Sequence, residues 1–199
     1  MKRLSILITM LILTVAFLLF AQDAAEENGE EGGNNFVTES ITNFVIDNFE
    51  FANTWQGAIP RDYGLINIIR REGGPADVVA EGEEENKYIL GVKVEYFKTG
   101  YPYFSVTPPR PVKIPGYTKE ISVWVAGRNH NNSMSFYIYD INGKPQSIGN
   151  VSLNFVGWKN VTVQVPANVK QEDFRGQREQ GISFMGIFIK VDPRDSYGK

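Results

Sequence analysis

Side chains that enzymes use for acid–base or nucleophilic chemistry are scarce in this chain of 199 residues, which has one histidine and no cysteine. The histidine, His130, lies in the polar stretch Arg-Asn-His-Asn-Asn, which indicates a loop. A Ser-His-Asp site would depend on this residue alone, and the sequence contains neither a G-x-S-x-G elbow nor a phosphate-binding loop. A zinc site built from several histidines or cysteines is excluded for the same reason. We therefore predict a protein that is not an enzyme and needs no cofactor.

Three oxygen-bearing side chains near the start of the predicted domain are candidates for a metal site. Asp47, Asn48 and Glu50 carry the hard oxygen ligands that calcium prefers, although the EF-hand loop pattern is absent. The alternative is that they are ordinary turn and edge residues. Asp47 and Glu50 would lie on opposite faces of a strand, so they do not suggest the paired carboxylates of a glycosidase. We predict no metal and keep these three residues as calcium candidates.

Aromatic side chains are concentrated in the stretch YFKTGYPYFSV, residues 96–106. Three interpretations stay open: these rings cover one end of the core, form a protein interface, or bind a sugar. Tyrosine and arginine are frequent anchors of protein interfaces. The interface candidates are Tyr101, Tyr103, Arg110 and Arg128. The candidates for a structural role are Trp55, Trp124, Gly157 and Trp158.

The amino-terminal segment has the pattern of a secretory signal peptide. Lys2 and Arg3 precede an apolar stretch, residues 4–20, and small and polar residues follow it. We predict a signal peptide over residues 1–21, cleaved after Ala21, which leaves no stable membrane anchor. The alternative is an uncleaved anchor, because the stretch is close to the minimum of about 17 residues that spans a bilayer.

Charge separates the next segment from the rest of the chain. Residues 22–31 hold five acids and no base, and residues 32–199 hold 18 acids and 18 bases. We predict an acidic, flexible leader over residues 22–35. A balanced domain argues against a nucleic acid partner, because phosphate binding needs clustered lysine and arginine.

From residue 36 onward the sequence predicts strand after strand. Apolar and polar residues alternate with a period of two, and β-branched and aromatic residues are enriched. The predicted strands lie at residues 44–51, 64–71, 86–97, 121–127, 132–140, 151–155, 161–165 and 181–191. The stretch 181–191 is apolar on both faces and predicts a central strand. The proline-rich stretch 107–116 predicts a loop or an edge. Residues 140–143, Asp-Ile-Asn-Gly, predict a hairpin turn.

This pattern predicts an all-β fold, an antiparallel two-sheet β-sandwich that forms a single domain over residues 36–199. Between the strands, residues 127–132 predict a polar tip, and residues 167–180 predict at most one turn of helix. The stretch NVSLNFVGWKNVTVQVP, residues 150–166, predicts two neighbouring strands with a hinge at Gly157. Trp158 follows this glycine and is expected to pin the junction to the core.

Four segments resemble the flagellar filament outer layer (sheath) proteins of spirochaetes, the FlaA family. They are the opening stretch VIDNFEFANTW (45–55), ISVWVAG (121–127), SFYIYDINGKP (135–145) and LNFVGWKNVTVQVP (153–166). The likeness covers about residues 40–195. The strand-Gly-Trp-strand pattern also recurs in galactose-binding-like jelly-roll modules, which are similar in sequence and bind sugars. The adjacent Tyr- and Pro-rich stretch favours the flagellar family.

The resemblance implies a jelly-roll fold and a structural subunit of the periplasmic flagellar filament sheath. Such a subunit would coat the flagellin core filament in the periplasm, together with other sheath proteins and further copies of itself. It would support filament stiffness, filament shape and motility. The alternative function is an exported, non-catalytic carbohydrate-binding module. Chains of the family usually extend beyond a motif like VDPRDSYGK (191–199), so we expect one edge of the sandwich to lack its final strand and to be open to a neighbour.

Overall fold

A computed structural model describes residues 41–79, 86–98 and 103–194 of the chain. The predicted signal peptide (1–21), the predicted acidic leader (22–35) and the interface candidate Tyr101 lie outside these residues. The chain divides into two units between Thr42 and Asn43, and the described strands all belong to the second unit, Asn43–Lys199. The described residues are mostly β-strand, in antiparallel sheets, as the alternating pattern predicts.

In the part of the chain that the structure describes, ten strands follow one another in chain order. They are β1 (Gln56–Ala58), β2 (Gly64–Glu72), β3 (Tyr88–Tyr96), β4 (Tyr103–Thr107), β5 (Val112–Pro115), β6 (Glu120–Arg128), β7 (Ser133–Tyr139), β8 (Pro145–Ser152), β9 (Val156–Gln164) and β10 (Gly181–Lys190). The helices among the described residues are short: a 3-10 helix at Ala52–Thr54 and α1 at Ala76–Val79. No helix in these ranges has the length and apolar character needed to cross a membrane. Residues 167–180 form turns rather than a helix.

The largest sheet has six strands, in the order β1-β4-β10-β7-β8, and β5 pairs with β10 beside β4. All of its pairings are antiparallel. β10 therefore lies in the middle of the sheet, as its two apolar faces predict. The proline-rich stretch becomes a loop followed by the short strand β5, which has a single partner, so the prediction of a loop or an edge is confirmed.

Two ribbons of two strands each accompany this sheet. β2 pairs with β3 from Gly64↔Tyr96 to Glu72↔Tyr88, and β6 pairs with β9 from Glu120↔Gln164 to Arg128↔Val156. Residues directly opposite in an antiparallel pair share a face. The partners Ile121↔Val163 therefore point to one side of the β6–β9 ribbon, and both side chains are buried.

The long segment from β6 to β9 is one hairpin bent between two sheets. Its tip is the predicted turn after β7, where Asp140 Oδ1 accepts hydrogen bonds from the backbone N–H groups of Asn142 and Lys144, both at 2.8 Å. Its bend comprises the links 129–132 and 153–155. These links are joined by hydrogen bonds from the Asn129 N–H to the Phe155 carbonyl and from the Leu153 N–H to the Asn132 carbonyl, both at 2.8 Å.

This bend corrects the prediction for residues 150–166. The two strands do not pair with each other, because β8 pairs with β7 and β9 pairs with β6. The break falls at residues 153–155, and Gly157 lies inside β9 with a positive φ of 87° rather than between the strands. Alternation alone gives the faces of each strand but carries no information about which strand is its hydrogen-bonded neighbour.

The predicted strand at residues 44–51 is wrong. Asp47 Oδ1 accepts a hydrogen bond from the Phe49 N–H at 2.6 Å, and Asn48 Oδ1 accepts one from the Glu50 N–H at 3.2 Å. These side chains bond the backbone two residues ahead, which favours a turn over an extended strand. Phe49 takes a left-handed φ of 62°, which a regular strand does not contain.

Among the described residues, one hydrophobic cluster joins the large sheet to both ribbons. Phe136, Ile138 and Ile182 lie at its centre with at most 1% of their surface exposed. Val161 enters it from the β6–β9 ribbon, and Ile68 packs against it from the β2–β3 ribbon. With no cysteine in the chain, the burial of these apolar side chains provides the main stabilisation of the fold.

Candidate functional site

The calcium candidates lie in the turn that precedes the 3-10 helix. Besides the turn contact, Asp47 uses its Oδ2 to accept a hydrogen bond from Trp55 Nε1 at 2.8 Å. Trp55 is 4% exposed and packs its ring at 5.3 Å from Phe49 and 6.3 Å from Phe184. The proposed structural role of Trp55 therefore has a geometric basis: its indole joins the turn to the core of the large sheet.

Glu50 joins the same turn to the β2–β3 ribbon. Its Oε1 accepts hydrogen bonds from the backbone N–H groups of Lys87, at 2.8 Å, and Tyr88, at 3.3 Å. Its Oε2 lies 3.6 Å from Nη2 of Arg70, whose guanidinium carbon lies 3.2 Å from the centre of the Tyr88 ring. The carboxylate thus receives donors from both strands of the ribbon.

The absence of a metal stays a prediction, and Asp47, Asn48 and Glu50 stay calcium candidates. Within residues 41–79, 86–98 and 103–194, no group of three or more histidine, cysteine, aspartate or glutamate side chains is arranged to hold a metal ion. The contacts of Asp47 and Glu50 with N–H donors give both carboxylates a structural function, because hydrogen bonds to charged groups are among the stronger ones in proteins.

Trp124 and Trp158 lie on the outer face of the β6–β9 ribbon. The register pairs Trp124 with Asn160 and Ala126 with Trp158, so the two indoles are diagonal neighbours on one face, opposite to the face of Val161. Trp158 is 37% exposed. The expectation that Trp158 pins the junction to the core is therefore wrong, because the residues that face the core in β9 are the alternate ones.

The two arginine candidates are exposed and far apart in the topology. Arg128 ends β6 on this same outer face, opposite Val156, which is 81% exposed. Arg110 lies in the proline-rich loop between β4 and β5. His130 lies in the exposed link between β6 and β7.

Trp124, Trp158, Val156 and Arg128 form what we call the ribbon face.

Tyr103 lies on the outer side of the large sheet. Its ring stacks on Phe188 with 5.3 Å between ring centres, and its Cα pairs with that of Lys190 across the sheet. Beside this stack is an open hollow of about 340 Å³. Its lining is Ala58, Ile59, Pro60, Tyr103, Phe104, Ser105 and Phe188. Part of the aromatic stretch thus covers the core, since Val106 is buried and Phe104 packs on the core, while Tyr103 faces outward.

One buried hydroxyl in the β2–β3 ribbon has no hydrogen-bond partner among the described residues. It is Oη of Tyr96, the residue that pairs with Gly64. Burial raises the pKa of Tyr96 to about 12, because the charged phenolate would lose its hydration.

Sequence reasoning missed Phe174. Its side chain is fully exposed, at 103% of the reference surface, on a loop between β9 and β10. The local sequence Glu-Asp-Phe-Arg-Gly holds an Asp-x-x-Gly turn pattern, and this signal could have located the turn. No pattern in the sequence indicates that the phenylalanine inside it points into solvent.

The large aromatic side chains on the exposed strand faces of this β-rich scaffold are suited to contacts with other proteins. The family model described as flagellar filament outer layer protein FlaA matches residues 27–199. A protein of Brachyspira hyodysenteriae (strain ATCC 49526 / WA1), described as a flagellar filament outer layer-like protein, is 76% identical over 187 residues. The alignment covers 91% of this chain and 87% of that protein.

The chain belongs to the flagellar filament outer layer protein family. It is therefore a structural, non-catalytic protein of the outer layer of a flagellar filament. The resemblance to this family, and with it the prediction of a filament outer layer protein, is confirmed, and the family decides against the alternative of a carbohydrate-binding module.

Proposed function

We propose that the protein is a sheath subunit of a periplasmic flagellar filament, where it coats the flagellin core together with other sheath proteins. The family match over residues 27–199 is the observation that carries the proposal. A signal peptide at residues 1–21 would direct the chain to the periplasm, and cleavage would release it from the membrane. In the sheath, the subunit would support the stiffness and shape of the filament and so motility.

The ribbon face supports this proposal because it exposes apolar and aromatic surface that a neighbouring protein can cover. Val156 is 81% exposed and Trp158 is 37% exposed on one side of a two-stranded ribbon. Arg128, at the end of this face, supplies a side chain type that is frequent in protein interfaces. We assign the ribbon face and Arg110 to contacts with the filament or with other sheath subunits.

We also propose that the sheets form a jelly-roll sandwich. The bent hairpin from β6 to β9 supports it. Its strands β7 and β8 belong to the large sheet and its strands β6 and β9 form a ribbon, and both bury side chains in one cluster. In this arrangement the core needs neither a metal nor a disulfide.

Fractionation of cells tests the function directly. Filaments are released from the periplasm by removing the outer membrane, then sedimented and washed, and the protein is followed with an antibody. We expect it in the filament fraction, with an amino terminus at Gln22. A soluble periplasmic enzyme is the control for trapped material. Recovery of the protein with that control, instead of with the filaments, would contradict the proposal.

A further inference from the structure

The hairpin turn between β7 and β8 contains a chemically reactive pair of residues. Asn142 and Gly143 form one of two Asn-Gly pairs in the chain, and the other pair, residues 28–29, lies outside the described residues. Asparagine is a thermolabile residue. It is most labile before glycine, because no side chain hinders the backbone nitrogen that follows it. Asn142 and Gly143 are both exposed, so water reaches them.

The reaction is the loss of the side-chain amide of Asn142. Base removes the proton of the Gly143 N–H, and this nitrogen forms a bond to Cγ of Asn142. The bond between Cγ and Nδ2 then breaks, and ammonia leaves with a proton from water. A second water opens the resulting five-membered ring at one of its two carbonyl groups. The product is aspartate or isoaspartate, in which the backbone runs through the side chain, and either product adds one negative charge.

The turn holds the reacting atoms in an unreactive arrangement. The Gly143 N–H donates to the Asp140 carbonyl at 2.9 Å. Gly143 has a left-handed φ of 76°, whereas neither Ile141 nor Asn142 has a positive φ, so a type I turn precedes the glycine. In such a turn the ψ of Asn142 is about 0°. Ring closure instead requires the Asn142 Cβ and the Gly143 nitrogen to be nearly eclipsed, and this rotation breaks the hydrogen bond of Gly143.

A neighbouring loop fixes the side chain of Asn142 as well. Arg178, between β9 and β10, donates through Nη1 to Asn142 Oδ1 and to the Ile141 carbonyl, both at 3.1 Å. The Ile141 N–H donates to the Lys170 carbonyl at 2.9 Å, so the loop holds the tip of the hairpin at two places. Hydrogen bonds from a guanidinium are stronger than those between neutral groups. The tip therefore has to open, and release Arg178, before Asn142 can rotate toward Gly143.

We propose that Asn142 is a deamidation site of this protein, and that Arg178 sets the rate of the reaction by holding the tip closed. Local segments of a protein open at a lower free energy than the whole fold. Each opening frees the Gly143 N–H and the Asn142 side chain together, so the reaction proceeds through the open tip. The converted fraction then records how long the tip has been open. The site is independent of the sheath function, because the reaction needs only the folded chain and water.

The two products have opposite effects on the joint between the tip and the loop. An aspartate at position 142 places a carboxylate oxygen where Arg178 now meets an amide oxygen, and a charge-assisted pair is shorter and stronger. Isoaspartate adds one carbon to the backbone between Asp140 and Lys144. These two residues exchange hydrogen bonds of 2.8 and 3.0 Å across the turn, and the longer loop does not fit both bonds. Deamidation thus tightens the tip in one product and opens it in the other.

Peptide mapping of the purified protein tests the site. The protein is incubated folded and in guanidinium chloride, at the same mildly alkaline pH, and the Asn142 peptide is followed by mass spectrometry. Mapping separates it from the peptide that contains residues 28–29. We expect conversion in both samples, slower by roughly tenfold to a thousandfold in the folded protein, because the reaction there waits for local opening. Equal rates in the two samples, or no conversion in the folded protein, would overturn the proposal.

A matched pair of variants tests the role of Arg178. Arg178→Ala should raise the conversion rate in the folded protein about fivefold, as expected for the loss of one hydrogen bond. Arg175→Ala removes an exposed arginine of the same loop whose guanidinium makes none of the contacts above, and it should leave the rate unchanged. Equal effects of the two variants would contradict the role of Arg178.

Hydrogen exchange separates opening of the tip from unfolding of the domain. In Arg178→Ala, the Gly143 amide should exchange faster by the same factor as the conversion rate, since one opening exposes both groups. The amide of Phe136, in the core strand β7, should keep its rate. A parallel acceleration at Phe136 would mean that the variant acts through global unfolding, and the proposed role of Arg178 would fail.

The variant Asn142→Asp tests the effect of the aspartate product. It should slow hydrogen exchange of the Gly143 amide several-fold relative to the parent protein, because the new carboxylate pairs with Arg178. In an Arg178→Ala background the same substitution should have no such effect. Faster exchange in Asn142→Asp than in the parent protein, or an equal slowing in both backgrounds, would contradict the pairing.

Discussion

The carboxylate of Asp47 accepts a hydrogen bond from the indole of Trp55 at 2.8 Å, and the same carboxylate closes the turn at Phe49. The indole is buried, so its N–H cannot exchange this partner for bulk water without exposing the core. One side chain therefore fixes both the path of the backbone before β1 and the position of a large ring in the core.

Replacing this carboxylate should destabilise the fold. We expect Asp47→Ala to lower the free energy of unfolding by about 1 to 3 kcal/mol, because it leaves a buried N–H without its acceptor. Chemical denaturation measures the change, and Asp62→Ala, at an exposed aspartate, is the control. In a double-mutant cycle, Asp47→Ala should cost less in a Trp55→Phe background, which lacks the N–H. Equal costs in the two backgrounds would contradict the role of the hydrogen bond.

The tryptophans should respond differently to the same substitution. Trp55→Ala removes a ring that is 4% exposed and should cost about 3 to 5 kcal/mol. Trp158→Ala removes a ring that is 37% exposed, on the ribbon face, and should cost less than about 1 kcal/mol. Thermal unfolding of both variants measures the contrast. A large loss of stability in Trp158→Ala would mean that this ring is in the core after all.

A pair of facing glycines gives a test of the β6–β9 register. Gly127 and Gly157 are directly opposite. A Cβ at Gly127 would overlap the carbonyl oxygen and the ring of Phe155, whereas a Cβ at Gly157 meets no atom within 4 Å of it among the described residues. We expect Gly127→Ala to lower the free energy of unfolding by about 3 kcal/mol, at the upper end of overpacking effects. Gly157→Ala should cost about 1 kcal/mol, from its left-handed backbone alone.

The decisive observation is that Gly127→Ala lowers the free energy of unfolding more than Gly157→Ala does. Equilibrium unfolding in urea provides both values on the same scale. If Gly157→Ala costs as much as Gly127→Ala, the bend at residues 153–155 does not approach β6 as described.

Alkaline unfolding should depend on Tyr96. Its pKa is about 12 in the folded protein, against a usual value near 10, so between these pH values the unfolded chain releases the proton first. The unfolded state then binds fewer protons, and the free energy of unfolding falls as the pH rises from about 10 to 12. Tyr96→Phe should remove this part of the loss and leave stability at pH 7 unchanged or slightly higher. A steeper alkaline loss in the variant than in the parent protein would contradict the assignment.

The strands were predictable where one face of a strand is buried and the other is exposed to solvent. Ile121, Val123 and Val125 alternate with Ser122, Trp124 and Ala126, and the first three contribute to the core as expected. Residues 44–51 are rich in apolar residues as well, but there the side chains of Asp47 and Asn48 hydrogen-bond to the backbone and favour a turn. A pattern of period two cannot express this competition.

The candidate surfaces were less predictable, because exposure depends on contacts that are remote in sequence. Trp158 follows a glycine and resembles a core residue, yet the register with β6 turns it outward. Phe174 lies in a polar stretch, in a loop that Arg178 joins to the carbonyl of Ile141, 37 residues away. The family, by contrast, was predictable, since the resemblance rests on short segments that are each local in the sequence.

The central position of β10 has a consequence for how the chain is made. Its partners β4, β5 and β7 all precede it, so a nascent chain that ends before residue 181 holds these strands without the one that joins them. Contacts between segments so far apart form late in folding. A chain that crosses a membrane from its amino end would therefore stay open, and compatible with a narrow channel, until nearly all of it has passed. Completion of synthesis, rather than the first hydrophobic residues to emerge, would then set the moment at which a subunit becomes able to join a filament.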